Sequence, residues 1–166
     1  MQLVLGDVVV YGTYGIGRVV ARERGLVFDV EHVMVVVEFE GGLRVSLPIE
    51  RARLQLRALA SEAEIEQVQQ ALREGRAVSS EPWLSRRRGA RAKLSDGDPL
   101  GLAEIVCDGV ARTRSLAARG LRPELASGER DVYLKARGLL ACEIAQARGL
   151  DATEADEWIE LQLGSA

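Results

Sequence analysis

The sequence predicts an α+β protein with two domains, a small β domain followed by an all-α domain. Short apolar runs separated by glycines fill residues 1 to about 57, whereas apolar residues recur at helical spacing from residue 58 onwards. A helix-capping box, Ser61 with Glu64 three residues later, stands where the pattern changes. We therefore expect the first domain at residues 1–58 and the second at residues 59–166.

The expected strands of the first domain are short and closely spaced. Gly41-Gly42 predicts a two-residue hairpin turn, and Pro48 ends the alternating apolar pattern that follows it. The apolar runs lie at residues 8–11, 19–21, 33–37 and 43–47, and β structure is expected as far as residue 57. This succession of short strands indicates a small, strongly bent barrel of the SH3 or Tudor type.

The glycine-rich segment at residues 12–17 differs from a phosphate-binding loop. Such a loop opens a helix whose N-terminus faces the phosphate, but here the glycines precede the apolar run at 19–21. The segment also lacks Gly-Lys-Ser/Thr. We interpret these glycines as a corner of the barrel.

Caps and terminators delimit about five helices in the second domain. Serine caps, prolines at first helical positions and terminal glycines are the signals that place them. The expected limits are Ser61 to Gly75, a helix with Pro82 in its first turn and a cap at Ser79 or Ser80, Asp98-Pro99 to Gly120, residues 127–148, and a last helix opened by Asp151 and Glu154.

The second of these helices carries an aromatic residue beside a row of cations. Residues 81–93 contain five basic side chains and one acidic one, and Trp83 falls in the first turn. Guanidinium groups neutralise phosphates, and a large apolar side chain can enter a minor groove and open a base step. The segment therefore favours nucleic acid. The alternative is a core tryptophan beside a solvated row of arginines, and the residues alone leave both open.

The composition restricts the class of protein. With 47% hydrophobic and 28% charged residues, the chain is typical of a globular protein, and its apolar runs are too short to span a bilayer. Its first residues lack the pattern of a signal peptide, so we expect a cytoplasmic protein. Because the net charge is −3, affinity for DNA has to come from a local cluster of cations.

No catalytic site, metal site or cofactor is expected. Cys107 and Cys142 form no CxxC pair, and we expect both to be buried thiols. The single histidine, His32, lies far from either cysteine in the sequence. Without a nucleophile and base, or a set of metal ligands, we predict that the protein is not an enzyme.

Several motifs occur together in an order that is similar to one bacterial family. The motifs are GD-x-VVY at residues 6–11 followed by Gly15 and Gly17, Leu47-Pro48 at the end of the barrel, Trp83 with Arg86 and Arg88 three and five positions later, and Asp96-Gly97-Asp98. In this order they resemble the CarD family of bacterial transcription regulators, also called CdnL, over nearly the whole chain.

The resemblance implies a partner for each domain. In that family the barrel binds the β subunit of RNA polymerase through sheet edges, and the helical domain contacts promoter DNA at the upstream edge of the transcription bubble. The family's tryptophan enters the minor groove there. By matching position, Trp83 is expected to be this wedge, and Arg86 and Arg88 are expected to contact the phosphate backbone. Further candidate DNA contacts are Arg87, Arg91 and Lys93.

The candidate polymerase contacts depart from the family pattern at one position. Some relatives carry an arginine two residues before the barrel proline, where this sequence has Ser46. Arg44 lies on the same strand face, one pleat earlier, and is a possible substitute. Together with Arg24, these two positions, Arg44 and Ser46, are the polymerase-binding residues that the resemblance implies.

The leading interpretation is a transcription regulator that joins RNA polymerase to promoter DNA and changes the stability of the open complex. Contacts to phosphates and to a melted junction require no specific base sequence. We expect a monomer without cofactor or membrane attachment that reaches the nucleoid through RNA polymerase. The alternative is a protein-interaction module without DNA affinity, in which Trp83 belongs to the core.

Overall fold

A computed structural model describes residues 2–164 and divides the chain into two compact units. The first unit ends at Leu59 and the second begins at Ala60. Within the described residues, four antiparallel strands and one helix form the first unit, and five helices form the second. The predicted α+β class, with a β domain before a helical domain, is confirmed. No helix between residues 2 and 164 is both long and apolar enough to cross a membrane.

The first unit is a half-barrel whose strands pair in sequence order. Its elements are β1 (Val8–Tyr11), β2 (Gly15–Val27), β3 (Val30–Phe39), β4 (Arg44–Pro48) and α1 (Ile49–Gln55). After α1 the chain returns to the first strand, where Val10 and Arg57 exchange two backbone hydrogen bonds of 2.8 and 3.1 Å. This bridge curves the sheet towards closure.

The core of the first unit lies on one face of the sheet. Its buried residues are Leu3, Val9, Val19, Val35, Val37, Phe39, Leu47, Ala52 and Leu56. At Gly17 a Cβ atom would stand 2.6 Å from Val37 and 2.8 Å from the Phe39 ring. Gly17 therefore allows β2 to approach β3, so its role is close packing within a strand and the predicted corner lies before it, at residues 12–15.

Three local expectations for the first unit are wrong. Residues 49–55 form a helix instead of continuing the β structure, and β2 runs to Val27 instead of ending near Ala21. The connection between β3 and β4 is also longer than two residues. A 3-10 turn occupies Glu40–Gly42, and the Phe39 N–H donates to the Leu43 carbonyl at 2.8 Å.

The second unit contains α2 (Glu62–Glu74), α3 (Trp83–Asp96), α4 (Pro99–Ala118), α5 (Ser127–Arg148) and α6 (Ala152–Gly164). Both predicted capping boxes are present, at Ser61 with Glu64 and at Asp151 with Glu154. The predicted serine cap of α3 is wrong, because Pro82 precedes that helix and no side chain caps it.

Four helices of the second unit form its core, and α3 lies at the edge of that core. The buried cluster draws on α2, α4, α5 and α6 and includes Val68, Leu72, Leu102, Val106, Leu140, Ile144 and Ile159. None of the α3 residues is buried, and Ala90 and Leu94 pack against the cluster only partly. Cys107 is buried as expected, but Cys142 is exposed.

Candidate nucleic-acid interface

Trp83 stands at the exposed N-terminus of α3. Its side chain retains 43% of its accessible surface, and the helix start carries no side-chain cap. The guanidinium carbon of Arg87, one turn later, lies 5.1 Å from the centre of the indole ring. A cation over an aromatic face is attracted by the ring quadrupole and fixes the ring orientation. An accessible indole and a cation therefore occupy the same end of the helix.

The inner edge of Trp83 borders a small cleft between α3, α4 and α5. Apolar side chains from the other two helices and the loop between them line this cleft, namely Ile105, Leu125, Val132 and Tyr133. A ring packed on one edge and open on the other loses little conformational freedom when it binds a ligand. The environment of Trp83 thus lies between that of a core residue and that of a fully solvated one.

Arg86 points into the second unit, away from solvent. Its Nη2 donates to Glu129 at 3.0 Å and its Nη1 donates to the Glu81 carbonyl at 2.6 Å, with 19% of the side chain exposed. Arg112 approaches the same Glu129 carboxylate at 3.9 Å. The role of Arg86 in this arrangement is to anchor α3 to the first turn of α5.

Lys93 is also held by an internal partner. It forms an ion pair with Glu104 of α4, whose carboxylate also lies 3.3 Å from Arg76. Burial acts to raise the pKa of Glu104, but the hydrogen bonds and positive charges of Lys93 and Arg76 together hold it below its usual value. The carboxylate therefore remains charged at neutral pH and ties the C-terminal half of α3 to α4.

Arg88 and Arg91 have no such partner. Both side chains are exposed, and neither forms an ion pair with any residue between 2 and 164. They lie three positions apart, so they are neighbours on the helix surface. Of the five cations predicted from sequence, Arg87, Arg88 and Arg91 are thus available at the surface, whereas Arg86 and Lys93 join α3 to its neighbours.

The candidate polymerase contacts lie on the first unit. Arg44 and Ser46 are exposed on the same face of β4, an edge strand of the sheet, and Arg44 is 3.3 Å from Glu38. Arg24 pairs with Val33 in the strand register, whereas Ser46 pairs with Val36, so Arg24 lies on the opposite face. Arg44 and Ser46 are therefore brought together by the fold, and Arg24 is separate from them.

Sequence comparison assigns both units to one family. Residues 3–60 match the CarD-like/TRCF RID domain, and residues 67–160 match the CarD C-terminal domain. The chain belongs to the CarD family. CarD proteins are non-enzymatic transcription regulators that bind RNA polymerase, so the resemblance drawn from the motifs is confirmed.

The sequence analysis of this CarD protein did not identify the acidic partners of Arg86 and Lys93. Glu129 is 43 residues from Arg86, and Glu104 is 11 residues from Lys93, so no local spacing joins the pairs. One signal was present, because an acidic residue in the first turn of a helix is stabilised by the helix dipole, as Glu129 is in α5. That signal places the carboxylate but does not identify its arginine.

Proposed function

We propose that this CarD protein binds the RNA polymerase β subunit through its first unit and promoter DNA through α3. Trp83 enters the minor groove at the upstream edge of the transcription bubble, and the complex with open DNA becomes longer-lived. The observation that carries this proposal is the exposed Trp83 indole at the start of a helix whose surface cations, Arg88 and Arg91, form no ion pair with any residue between 2 and 164.

The chemistry of α3 suits a melted junction. An exposed indole provides a flat apolar surface for an unstacked base, and a base–aromatic contact contributes roughly 1–3 kcal/mol. Arg88 and Arg91 neutralise phosphates beside it, while the uncapped helix N-terminus adds partial positive charge. None of these groups reads base edges, so promoter choice follows the polymerase.

Arg87 has a separate role in the proposed contact. Because its guanidinium stacks on the indole, it keeps one face of Trp83 covered and its own charge close to the ring. Arg86 orients the helix through Glu129 and contacts no phosphate. Lys93 acts in the same way through Glu104. Trp83 thus remains the proposed wedge, and two of the predicted cations, Arg86 and Lys93, position the helix instead.

The polymerase contact is proposed for the β4 edge. An edge strand presents unpaired backbone groups that can add to a strand of a partner, and Arg44 and Ser46 are its outward side chains. The match of residues 3–60 to the CarD-like/TRCF RID domain supports this assignment to the first unit. Arg24, on the other face, is proposed as a peripheral contact only.

The experiment that tests the DNA contact is the lifetime of open complexes with the Trp83→Ala variant. We expect the gain in lifetime given by wild-type protein to fall roughly 5-fold or more, because one stacking contact is lost. Binding to the isolated β subunit should remain unchanged. As a matched control, Leu161→Ala on α6 removes another exposed apolar side chain, 67% accessible, and should leave the lifetime unaltered.

A folded Trp83→Ala protein that stabilises open complexes as well as wild type would contradict the wedge and favour an interaction module without DNA affinity. Folding is checked by thermal denaturation. Because the indole is 43% exposed, the loss of stability should stay well below the ~3–5 kcal/mol typical of a fully buried tryptophan.

A further inference from the structure

The hairpin of β2 and β3 extends beyond the rest of the sheet as a two-stranded arm, residues 20–33. On one side of the sheet, β1 and the two residues before it pair with β2 only as far as Val19. On the other side, β4 pairs with β3 only from Met34 onwards. Within the described residues, neither strand of the arm pairs with a third strand. The arm supplies no residue to the buried cluster of the first unit. Pro48 at the end of β4 pairs with Met34, and the last pair of the arm is Val27 with Val30, so at ~3.3 Å per residue the tip lies about 15 Å beyond the end of β4.

The tip of the arm is apolar and open to solvent. Phe28 retains 97% of its accessible surface, Leu26 72% and Val30 56%. Strand pairing places Leu26 opposite Glu31 and Val27 opposite Val30, so the apolar side chains lie on both faces. Within the described residues of the first unit, no layer of core covers either face. The free energy of folding therefore gains little from these side chains.

The turn at the tip is built from residues that its backbone disfavours. Phe28 and Asp29 are the two central residues, with φ of +50° and +62°. A two-residue hairpin turn with positive φ at both positions favours Asn-Gly, and a bulky aromatic residue at positive φ is a rare, strained conformation. Strain of this kind is typical of functional sites.

The charge of the arm indicates a protein partner. Residues 20–33 contain two arginines and three acidic residues, and Arg24 lies 3.8 Å from Glu31. A segment with this balance does not attract the phosphate backbone. The arm is continuous with the sheet whose β4 edge is proposed to bind RNA polymerase, within the residues that match the CarD-like/TRCF RID domain.

We propose that the tip of the arm is a second polymerase contact, in which Phe28, flanked by Leu26 and Val30, inserts into an apolar pocket on the protein surface of RNA polymerase. This inference rests on the proposed polymerase binding and extends it about 15 Å from the end of β4. A buried phenylalanine is a typical interface anchor, surrounded by a polar rim such as Arg24, Asp29 and Glu31 provide here.

The test is Phe28→Asn in the full-length chain, which should change stability and binding in opposite directions. Asparagine tolerates positive φ, so the melting temperature of the first unit should rise by about 4–8 °C. Affinity for purified RNA polymerase should fall about 10- to 100-fold, because the contact of a large apolar side chain is lost. Leu54→Asn, an equally apolar position that is 87% exposed on α1, is the control and should leave the affinity unchanged.

The outcomes separate this inference from the proposed function. Wild-type protein that fails to bind polymerase would overturn both. Wild-type protein that binds, together with a Phe28→Asn variant that binds equally well, would overturn the arm contact alone. Light scattering of both proteins completes the test, because loss of self-association in the variant with unchanged polymerase affinity would identify a second copy of the chain as the occupant and reject the proposal.

Discussion

Arg86 and Arg88 lie two positions apart on α3 and have different environments. Arg86 is held by Glu129 and the Glu81 carbonyl, while Arg88 is exposed without an ion-pair partner among residues 2–164. An α-helix has 3.6 residues per turn, so side chains two positions apart point to different sides of the helix. The environment therefore gives Arg86 a structural role and leaves Arg88 accessible for the proposed phosphate contact.

The first prediction compares these two arginines. Arg88→Ala should leave the free energy of unfolding within about 0.5 kcal/mol of wild type, and should lower DNA affinity while reducing the salt slope by about one. Arg86→Ala should instead cost about 1.5–3 kcal/mol, because Glu129 loses a charged hydrogen bond. Urea denaturation and DNA titrations at several salt concentrations measure both. Equal effects of the two changes on DNA affinity would reject the division of roles.

At the scale of the helix, Gly89 weakens α3. A Cβ atom at this position would meet nothing within 4 Å, so neither close packing within the protein nor a positive φ requires glycine. Gly89→Ala should therefore raise the free energy of unfolding by about 0.8–1 kcal/mol, since alanine loses less backbone entropy in a helix. Thermal denaturation measures the gain.

The same variant also tests the proposed contact between α3 and DNA. If Arg88 and Arg91 reach phosphates through their long side chains, Gly89→Ala should leave DNA affinity unchanged. A stabilised variant with weaker DNA binding would instead indicate that the backbone at Gly89 itself lies against the nucleic acid.

The sequence predicted the helices whose capping residues lie within a few positions of each other, but it did not predict the strand ends that depend on pairing with a distant strand. The capping boxes at Ser61 and Asp151 placed two helices correctly because both partners lie within four residues. The 7-residue α1 has no cap, since Pro48 precedes it and no side chain accepts from its first turn. The continuation of β2 to Val27 depends on the register with β3, which no pattern within residues 22–27 reveals.

A bidentate ion pair joins α5 to α6. Arg137 donates to both oxygens of Asp156 at 2.6 and 2.9 Å and to the Tyr133 hydroxyl at 3.0 Å, and lies 2.9 Å from Glu160. The hydrogen bonds from Arg137 hold the pKa of Asp156 below its ordinary value, despite partial burial. The charged form of this carboxylate therefore belongs to the folded state.

We predict that this pair makes the second unit sensitive to acid. A carboxyl whose pKa is lowered by folding stabilises the protein fully above its unfolded pKa, and this stability is lost as pH falls through the lower folded value. The melting temperature should therefore decrease below about pH 4. Asp156→Asn should lower the free energy of unfolding by about 1 kcal/mol at pH 7. The melting temperature of this variant should also depend less on pH in the acid range. An unchanged acid profile in the variant would contradict the assignment.

Across the whole molecule the charge is distributed unevenly. Residues 1–59 contain seven basic and seven acidic residues, whereas residues 60–166 contain 15 basic and 18 acidic ones, so the second unit carries the net charge of −3. Within it, α3 has five basic residues and one acidic residue, and α6 has four acidic residues and no basic one. A unit with this composition is expected to bind duplex DNA weakly on its own.

The order of the domains was predictable from the sequence, whereas the assembly of the site was not. Hydrophobic periodicity changes near residue 58 and the compact units divide after Leu59, because each period builds its own core. The orientation of Arg86, in contrast, depends on a carboxylate from another helix. Long-range pairs of this kind follow from tertiary packing, which periodicity does not encode.

The last prediction concerns the covalent link between the two units. Two weak contacts on one chain act together, because binding of the first raises the effective concentration of the second to the millimolar range. The full chain at micromolar concentration should therefore lengthen the lifetime of open complexes, and an equimolar mixture of fragments 1–59 and 60–166 should have little effect. Each fragment is expected to fold, since each unit contains its own buried cluster, and circular dichroism verifies this before the assay.

Fragment 1–59 alone should bind the β subunit and compete with the full chain. Binding of the β subunit by fragment 60–166 instead would reverse the assigned roles, and a mixture as effective as the full chain would show that the helical unit reaches promoter DNA without help from polymerase.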